Sequence, residues 1–233
     1  MATPLLEVIA LLPEDAKQAE AAGADRLELV TAMGEGGLTP ARGVIEAVTR
    51  SVSIPVNVMV RPHSRSFQYS EEEKAIILAD IEHARAAGAA GIVFGALDSE
   101  GNVDVPFAED VIQAANGLKV TFHRAIDAAR DPVISFQTLC KLGGIDSVLT
   151  SGGAKSALLG KENLQAMVAS AANSQDAPVV MPGAGIDKNN LSELHQALRT
   201  SEYHIGSAAR KNSSFTEAID DETVQKIKAI LKG

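Results

Sequence analysis

The sequence predicts a single (β/α)8 TIM barrel, a fold of the α/β class, as one domain over residues 1–233. Two observations predict it. Short runs rich in β-branched residues alternate eight times with longer amphipathic segments, and no linker or shift in composition interrupts the alternation. Eight parallel strands with right-handed crossovers form a sheet that closes on itself. An open doubly wound sheet is the alternative, although its usual count is about five or six strands.

Eight apolar runs predict the strands in chain order. They comprise residues 5–11, 26–30, 55–61, 91–97, 119–125, 147–152, 178–183 and 203–208.

The segments between the strands carry helix start and stop signals. Ser70 with Glu73 forms a capping box, and Thr39 and Asp131 each precede a proline, as an N-cap precedes a first-turn proline. Four glycines end helical stretches shortly before a predicted strand: Gly23, Gly88, Gly117 and Gly143.

The composition predicts a folded protein with a small-molecule partner. Hydrophobic residues make up 45% and charged residues 22% of the chain, close to the average for globular proteins. The formal net charge of -9 argues against nucleic acid or an anionic membrane as a partner. Glu7 interrupts the apolar start and no basic residue precedes it, so this segment predicts a strand and a cytoplasmic protein.

Polar residues stand on the predicted strands where a barrel interior normally holds branched apolar side chains. Alternation along residues 55–61 turns Asn57, Met59 and Arg61 toward the lumen and the three valines toward the helices. The same alternation turns six further polar residues inward: Glu7, Glu28, Lys119, Thr121, His123 and His204.

Five of these strand residues and their neighbours are candidate catalytic residues: Glu7, Glu28, Arg61, His123 and Arg124. Because unpaired buried charge is costly, we expect the two glutamates to face Arg61, His123 or Arg124. Two interpretations remain open, a ligand site built from strand ends and a purely structural salt-bridge cluster.

Glycine-rich turns after the last strands predict an anion site, because bare backbone N–H groups in loops seven and eight of barrels often hold phosphate. Loops six, seven and eight together supply the candidates: Ser151, Gly152, Gly183, Gly185, Gly206 and Ser207. The basic and aromatic loop at residues 62–69 is either a lid over a negatively charged ligand or a solvated loop.

Six ordered motifs resemble the copper homeostasis protein CutC family. They are AGADRLEL at 22–29, EGGLTP at 35–40, VRP at 60–62, GALD at 95–98, TFHRA at 121–125 and LTSGG at 149–153. The resemblance runs from Leu6 to Arg210. It implies a cytoplasmic barrel, commonly a homo-oligomer, with a link to copper tolerance and copper binding.

Many members of that family carry cysteines at positions that here hold Ile9, Ala10 and Val30. Copper(I) favours cysteine and methionine sulfur, and the methionines of this chain show no paired spacing. The single cysteine, Cys140, falls in a predicted helix where core packing is the expected role. A divalent ion on His123 and Glu28 is chemically possible, but the sequence itself requires no cofactor.

Three functions are compatible with these patterns. The first is copper handling, implied by the family resemblance. The second is an enzyme acting on a small phosphorylated or carboxylated molecule, with His123 or Glu28 as general acid and base and Arg61 and Arg124 as charge clamps. The third is a catalytically silent barrel that binds a metabolite.

Overall fold

The protein is described by a computed structural model that covers residues 3–172, 174 and 176–232. Over these residues, parallel strands and helices alternate eight times, which confirms the (β/α)8 barrel. The strands are β1 Leu5–Ala10, β2 Arg26–Leu29, β3 Val56–Met59, β4 Gly91–Phe94, β5 Lys119–Phe122, β6 Ser147–Thr150, β7 Val179–Pro182 and β8 Glu202–Ile205. The helices are α1 Pro13–Ala22, α2 Arg42–Thr49, α3 Glu71–Ala86, α4 Val105–Ala115, α5 Pro132–Leu142, α6 Lys161–Ala171, α7 Leu191–Leu198 and α8 Asp221–Lys232.

The strands follow one another around the barrel in chain order, and β8 returns to pair with β1. This closure excludes the open doubly wound sheet. β7 lies beside β8, but in the described part of the chain no strand ladder joins them. The hydroxyl of Thr200, just before β8, donates to the Val180 carbonyl of β7 across this seam.

Every strand ends one to three residues before its predicted end. Most residues just beyond the strands stay buried as they turn over the barrel mouth, so the hydrophobic pattern continues although the strand pairing has stopped; Arg124 is exposed and residues 206–208 are half-buried. Arg61 and His123 therefore lie in loops directly after β3 and β5 rather than on those strands.

Packing confirms the predicted alternation of β3. Val56, Val58 and Val60 belong to the large core between strands and helices. Met59 faces the lumen and packs with Ile9, Val30 and Val93 in a small apolar cluster. These four residues give the lumen an apolar patch next to its polar residues.

Two of the three predicted helix starts are confirmed. Ser70 and Glu73 form the capping box of α3, and the Asp131 carboxylate caps α5. The prediction for Thr39 is wrong, because α2 begins at Arg42. Thr39 instead exchanges two hydrogen bonds with the backbone of Arg61: its amide donates to the Arg61 carbonyl at 3.0 Å and its Oγ1 accepts from the Arg61 amide at 2.8 Å. The loop after β2 thus fixes the backbone of Arg61.

Candidate functional site

A cavity of about 750 Å³ opens at the carboxyl ends of the strands. Seven of the predicted site residues line it: Glu28, Arg61, His123, Arg124, Gly185, Gly206 and Ser207. The other four are not part of its wall: Glu7, Ser151, Gly152 and Gly183. The catalytic roles proposed for Glu7, Glu28, Arg61, His123 and Arg124 stay predictions.

Arg61 is a buried cation without a counterion. Its side chain is 6% exposed, and in the described residues no carboxylate lies within ion-pair distance of it. Its guanidinium makes long hydrogen bonds to the carbonyls of Gly37 (3.5 Å) and Ser64 (3.4 Å) and interacts with the buried Tyr69 hydroxyl, and its Nε has no partner among the described residues. The group lies 4.5 Å from the centre of the Phe67 ring. The cavity wall therefore carries an uncompensated positive charge.

His123 lies beside this charge and is neutral. Its Nδ1 accepts a hydrogen bond from the Ala125 amide at 3.2 Å, and its buried Nε2 has no partner in the described chain. Burial and the positive charges of Arg61 and Arg124 lower the pKa of His123 to about 3. The ring fits because residue 95 is glycine; a Cβ there would overlap Nδ1.

Glu7 does not pair with Arg61, His123 or Arg124, and among the described residues no ion pair joins Glu28 to them although it lines the same cavity, so the expected pairing is wrong. Glu7 is fully buried and binds Arg26 Nε at 2.5 Å and His204 Nδ1 at 2.8 Å. The reason is register: Glu7 of β1 is level with Arg26 of β2 on one side and with His204 of β8 on the other. Glu7 therefore pairs with residues on the two neighbouring strands and not with residues across the mouth.

This charged group continues deeper into the barrel. Arg26 Nη2 donates to Glu202 at 2.6 Å, and the Ser147 hydroxyl donates to the same carboxylate at 2.9 Å. Lys119, which alternation had turned inward, lies exposed at the amino end of the barrel and pairs with Asp146. Most of the described ion pairs of the lumen therefore lie in its lower part, and a longer one, between His204 Nε2 and Glu28 at 3.9 Å, reaches the floor of the cavity.

The two glutamates have opposite pKa shifts. Burial alone would raise the pKa of Glu7, but the Arg26 guanidinium and the His204 ring outweigh burial and lower it to about 2. Burial raises the pKa of Glu28 to about 7, with the Glu7 charge adding to burial and His204 opposing it. For His204, burial lowers the pKa, and Glu28 and Glu7 together outweigh it, so the net shift is upward.

The first three amides of loop six, those of Ser151, Gly152 and Gly153, are paired inside the chain, which corrects the prediction for Ser151 and Gly152. The carboxylate of Asp127 accepts hydrogen bonds from the amides of Ser151 and Gly153 at 3.0 Å, and the Gly152 amide donates to the Thr150 hydroxyl at 2.9 Å. Arg124 pairs with the same Asp127 carboxylate at 2.8 Å. The Asp127 carboxylate and the Thr150 hydroxyl therefore occupy the two amides that were predicted for a ligand. Sequence spacing gave no signal for Asp127.

Loops seven and eight differ from loop six. The Gly183 amide donates to the Thr150 carbonyl within the sheet, so it is not free, and this prediction is also wrong. The amides of Gly185, Gly206 and Ser207 donate no hydrogen bond to any described part of the chain. Lys155 lines the same side of the cavity.

The loop at residues 62–69 contributes Phe67 to the cavity wall. Its ring contacts both the Arg61 guanidinium and the His123 ring, whose centre is 5.2 Å away. His63 is held by Glu73 at 3.1 Å. The loop therefore covers one side of the mouth, and its predicted movement as a lid stays a prediction.

Donors for a metal ion occur once as a group of three or more in the described residues. Glu7, Glu28 and His204 each bring one ligand atom within 4.8 Å of the others. His123 is not part of that group, and Cys140 lies half-buried on α5 away from the cavity. The set is oxygen and nitrogen, which suits a divalent ion better than copper(I).

Comparisons with known proteins agree on one family. A family model described as the CutC family matches residues 5–209. The copper homeostasis protein cutC homolog of Homo sapiens is 40% identical over 211 residues, which is 91% of this chain and 76% of the human protein.

A crystal structure from Streptococcus agalactiae, described as a CutC copper homeostasis protein, matches with a TM-score of 0.80 and 28% identity. The match covers 87% of this chain and 98% of that one. Phosphoribosyl anthranilate isomerase from Thermotoga maritima matches with a TM-score of 0.66 and 9% identity over 99% of both chains, a likeness that shows the fold alone. No helix in the described residues is long and apolar enough to cross a membrane.

Proposed function

This chain belongs to the CutC family, and we propose that its barrel mouth binds a small anionic molecule, phosphorylated or carboxylated. One observation carries the proposal: Arg61 is buried in the cavity wall, and none of the described carboxylates pairs with it. A buried cation loses its hydration and regains the lost free energy only when an anion or strong acceptors replace the water. The long contacts to two carbonyls replace it poorly.

The opposite wall supports the same ligand chemistry. β3 and β4 lie across the barrel from β7 and β8, so Arg61 faces the loops that hold Gly185, Gly206 and Ser207. Their amides are unpaired donors among the described residues, and Lys155 adds a positive charge. An arginine on one side and amides on the other are the donors that carboxylate and phosphate oxygens prefer.

Thermal unfolding in the presence of a ligand panel tests the proposal. Phosphate, sulfate, sugar phosphates and small carboxylates should raise the unfolding temperature, since binding at a hundredfold excess over Kd stabilises the folded state by about 2.7 kcal/mol. Arg61→Met should remove most of this shift. Arg85→Met is the matched control, because Arg85 is exposed on α3 outside the cavity. No shift with any anion, or equal behaviour of the two variants, would overturn the proposal.

Copper binding is a second candidate function. The human relative is named for copper homeostasis, and the group of Glu7, Glu28 and His204 offers ligand atoms for an ion. We propose that copper binds there as Cu(II), which accepts imidazole and carboxylate ligands. A Cu(I) thiolate site does not fit, because the single cysteine lies on α5. Arg26 competes with the ion for Glu7 and weakens binding.

Competition against a chelator tests the copper proposal. Cu(II) should bind more tightly than Cu(I), and His204→Gln should weaken the Cu(II) site. Cys140→Ala should leave both affinities unchanged. Circular dichroism of each variant verifies the fold. A tight Cu(I) site that disappears in Cys140→Ala would contradict this assignment.

From the family resemblance we also propose a cytoplasmic homo-oligomer. Light scattering coupled to size exclusion should give a mass that is a multiple of the 24.3 kDa chain. A single mass of 24.3 kDa at micromolar concentration would contradict it.

A further inference from the structure

We propose that His123 is a second recognition residue for the anion, and that its neutral Nε2–H donates to an oxygen of the same carboxylate or phosphate group that Arg61 binds. The inference rests on the proposed anion site and deepens it. It replaces the acid–base role that the sequence predicted for His123 with that of a hydrogen-bond donor.

The first step is the tautomer. The Ala125 amide donates to Nδ1, so Nδ1 carries a lone pair and no proton. A neutral imidazole has one N–H group, which must then be on Nε2. This atom is buried and has no partner in the described part of the chain. This unpaired donor is the one that we assign to the ligand.

The second step is the charge state. Two cations, Arg61 and Arg124, lie near the ring, and no carboxylate of the described residues forms an ion pair with it. Both features disfavour a second proton. His123 therefore stays neutral over the physiological range and donates without adding charge. A histidine whose Nε2 already holds the proton does not act as a general base through that atom.

The third step is geometry. Phe67 contacts both groups: the Arg61 guanidinium lies 4.5 Å and the His123 ring 5.2 Å from its centre. Both residues line the cavity, and both have a buried polar nitrogen without a partner in the described chain. The Gly95 backbone holds the ring in place from the other side. Two donors on one wall, one charged and one neutral, match two oxygens of one oxyanion.

Nitrogen NMR of the histidine side chains tests the tautomer without any ligand. In the full-length protein with ¹⁵N-labelled histidine, the His123 ring should show protonated Nε2 and unprotonated Nδ1 from pH 5 to pH 8. His123→Gln identifies the resonance. A ring that carries its proton on Nδ1, or that titrates near its ordinary pKa, would overturn the inference.

Binding measurements test the contact itself, with acetate, inorganic phosphate and 2-phosphoglycolate as probes. His123→Phe should weaken the best probe about 10- to 100-fold, as expected for the loss of a hydrogen bond to a charged group. His123→Gln keeps an N–H donor and should recover part of the affinity. Thermal unfolding verifies that both variants fold, and His83→Phe on exposed α3 is the control.

The outcomes separate the two proposals. If Arg61→Met abolishes binding while His123→Phe binds normally, the role of His123 is wrong and the anion site stands. If no probe binds the unaltered protein, both are wrong. Retention of phosphate binding with loss of carboxylate binding in His123→Phe, or the reverse, identifies which oxyanion this wall holds.

Discussion

The lower and upper parts of the barrel lumen differ in whether their buried charges are paired. In the lower part, Glu7 pairs with Arg26 and His204 on the two neighbouring strands, and Arg26 also pairs with Glu202 of β8, across β1. In the upper part, Arg61 lies buried without a carboxylate partner in the described residues. A structural network of buried charges is stable when its charges are paired within the protein. A buried charge without a partner in the protein is typical of a site where a ligand supplies the opposite charge. The structural interpretation of the polar strands therefore applies to the lower part, and the ligand site is our proposal for the upper part.

The largest effect is expected from breaking the lower network. Arg26→Met leaves Glu7 buried beside a single partner, His204, and should lower the free energy of unfolding by about 3–5 kcal/mol. Urea denaturation measures it. The control is Lys119→Met, which removes an exposed pair with Asp146 and should cost about 1 kcal/mol or less. Equal effects of the two variants would contradict the structural role of the network.

The pH dependence of the free energy of unfolding tests the charge state of His123 in the upper part. Its pKa is about 3 when folded and about 6.5 when unfolded, so the unfolded chain binds the proton first. The stability contributed by neutral His123 is full above pH 6.5 and falls as the pH drops toward 3. Between pH 7 and pH 4 this loss is on the order of 3 kcal/mol.

His123→Gln removes this loss, whereas the opposing contribution of Glu28, whose raised pKa favours the folded state in acid, remains in both proteins. The difference between the two pH profiles, measured by urea denaturation, therefore reports His123 alone. Parallel profiles would show that His123 titrates normally.

Loop six lies at the upper rim, but the amides of Ser151, Gly152 and Gly153 are paired inside the chain, as the charges of the lower network are. It therefore offers a second test of the comparison. Asp127→Asn places an amide group against the N–H donors of Ser151 and Gly153 and should destabilise the protein by about 2 kcal/mol. It also releases Arg124 from its ion pair. Urea denaturation measures the first effect, and Asp131→Asn at the α5 cap is a control of similar type. An unchanged stability would mean that the Asp127 contacts contribute little.

The smallest effect is expected from Arg61→Met without ligand. The variant loses the contact with Phe67 but no longer buries an uncompensated cation, so the free energy of unfolding should change by about 1 kcal/mol or less. Urea denaturation in a buffer free of phosphate and carboxylates measures it. A loss as large as that of Arg26→Met would place Arg61 in the structural class and remove the main support for the anion site.

Alternation along the strands predicted most of the residues that face the lumen, since it depends only on the period of a strand, but it failed for Lys119, which lies exposed at the start of β5. It placed Arg61 and His123 correctly at the mouth. It did not predict their partners, because partners depend on register between strands, as for Glu7 with Arg26 and His204.

Loops were harder to predict than strands. Thr39 has the sequence of a helix cap, but its contact with Arg61 follows from where the loop after β2 runs in space. Asp127 lies in a 3₁₀ helix, Arg124–Ala128. No local sequence pattern predicts that this helix brings Asp127 to loop six. Half of the six predicted anion donors were therefore already used inside the chain.

The seam between β7 and β8 makes the barrel, topologically, a rolled sheet whose two edge strands meet without a described ladder between them. The loops with unpaired amides, after β7 and after β8, stand at the top of that seam. A ligand that bound both Gly185 and Gly206 would connect the edge strands β7 and β8 at their carboxyl ends. Ligand binding at the mouth should then slow the exchange of amide hydrogens along the whole seam, including those of strand residues that the ligand does not contact.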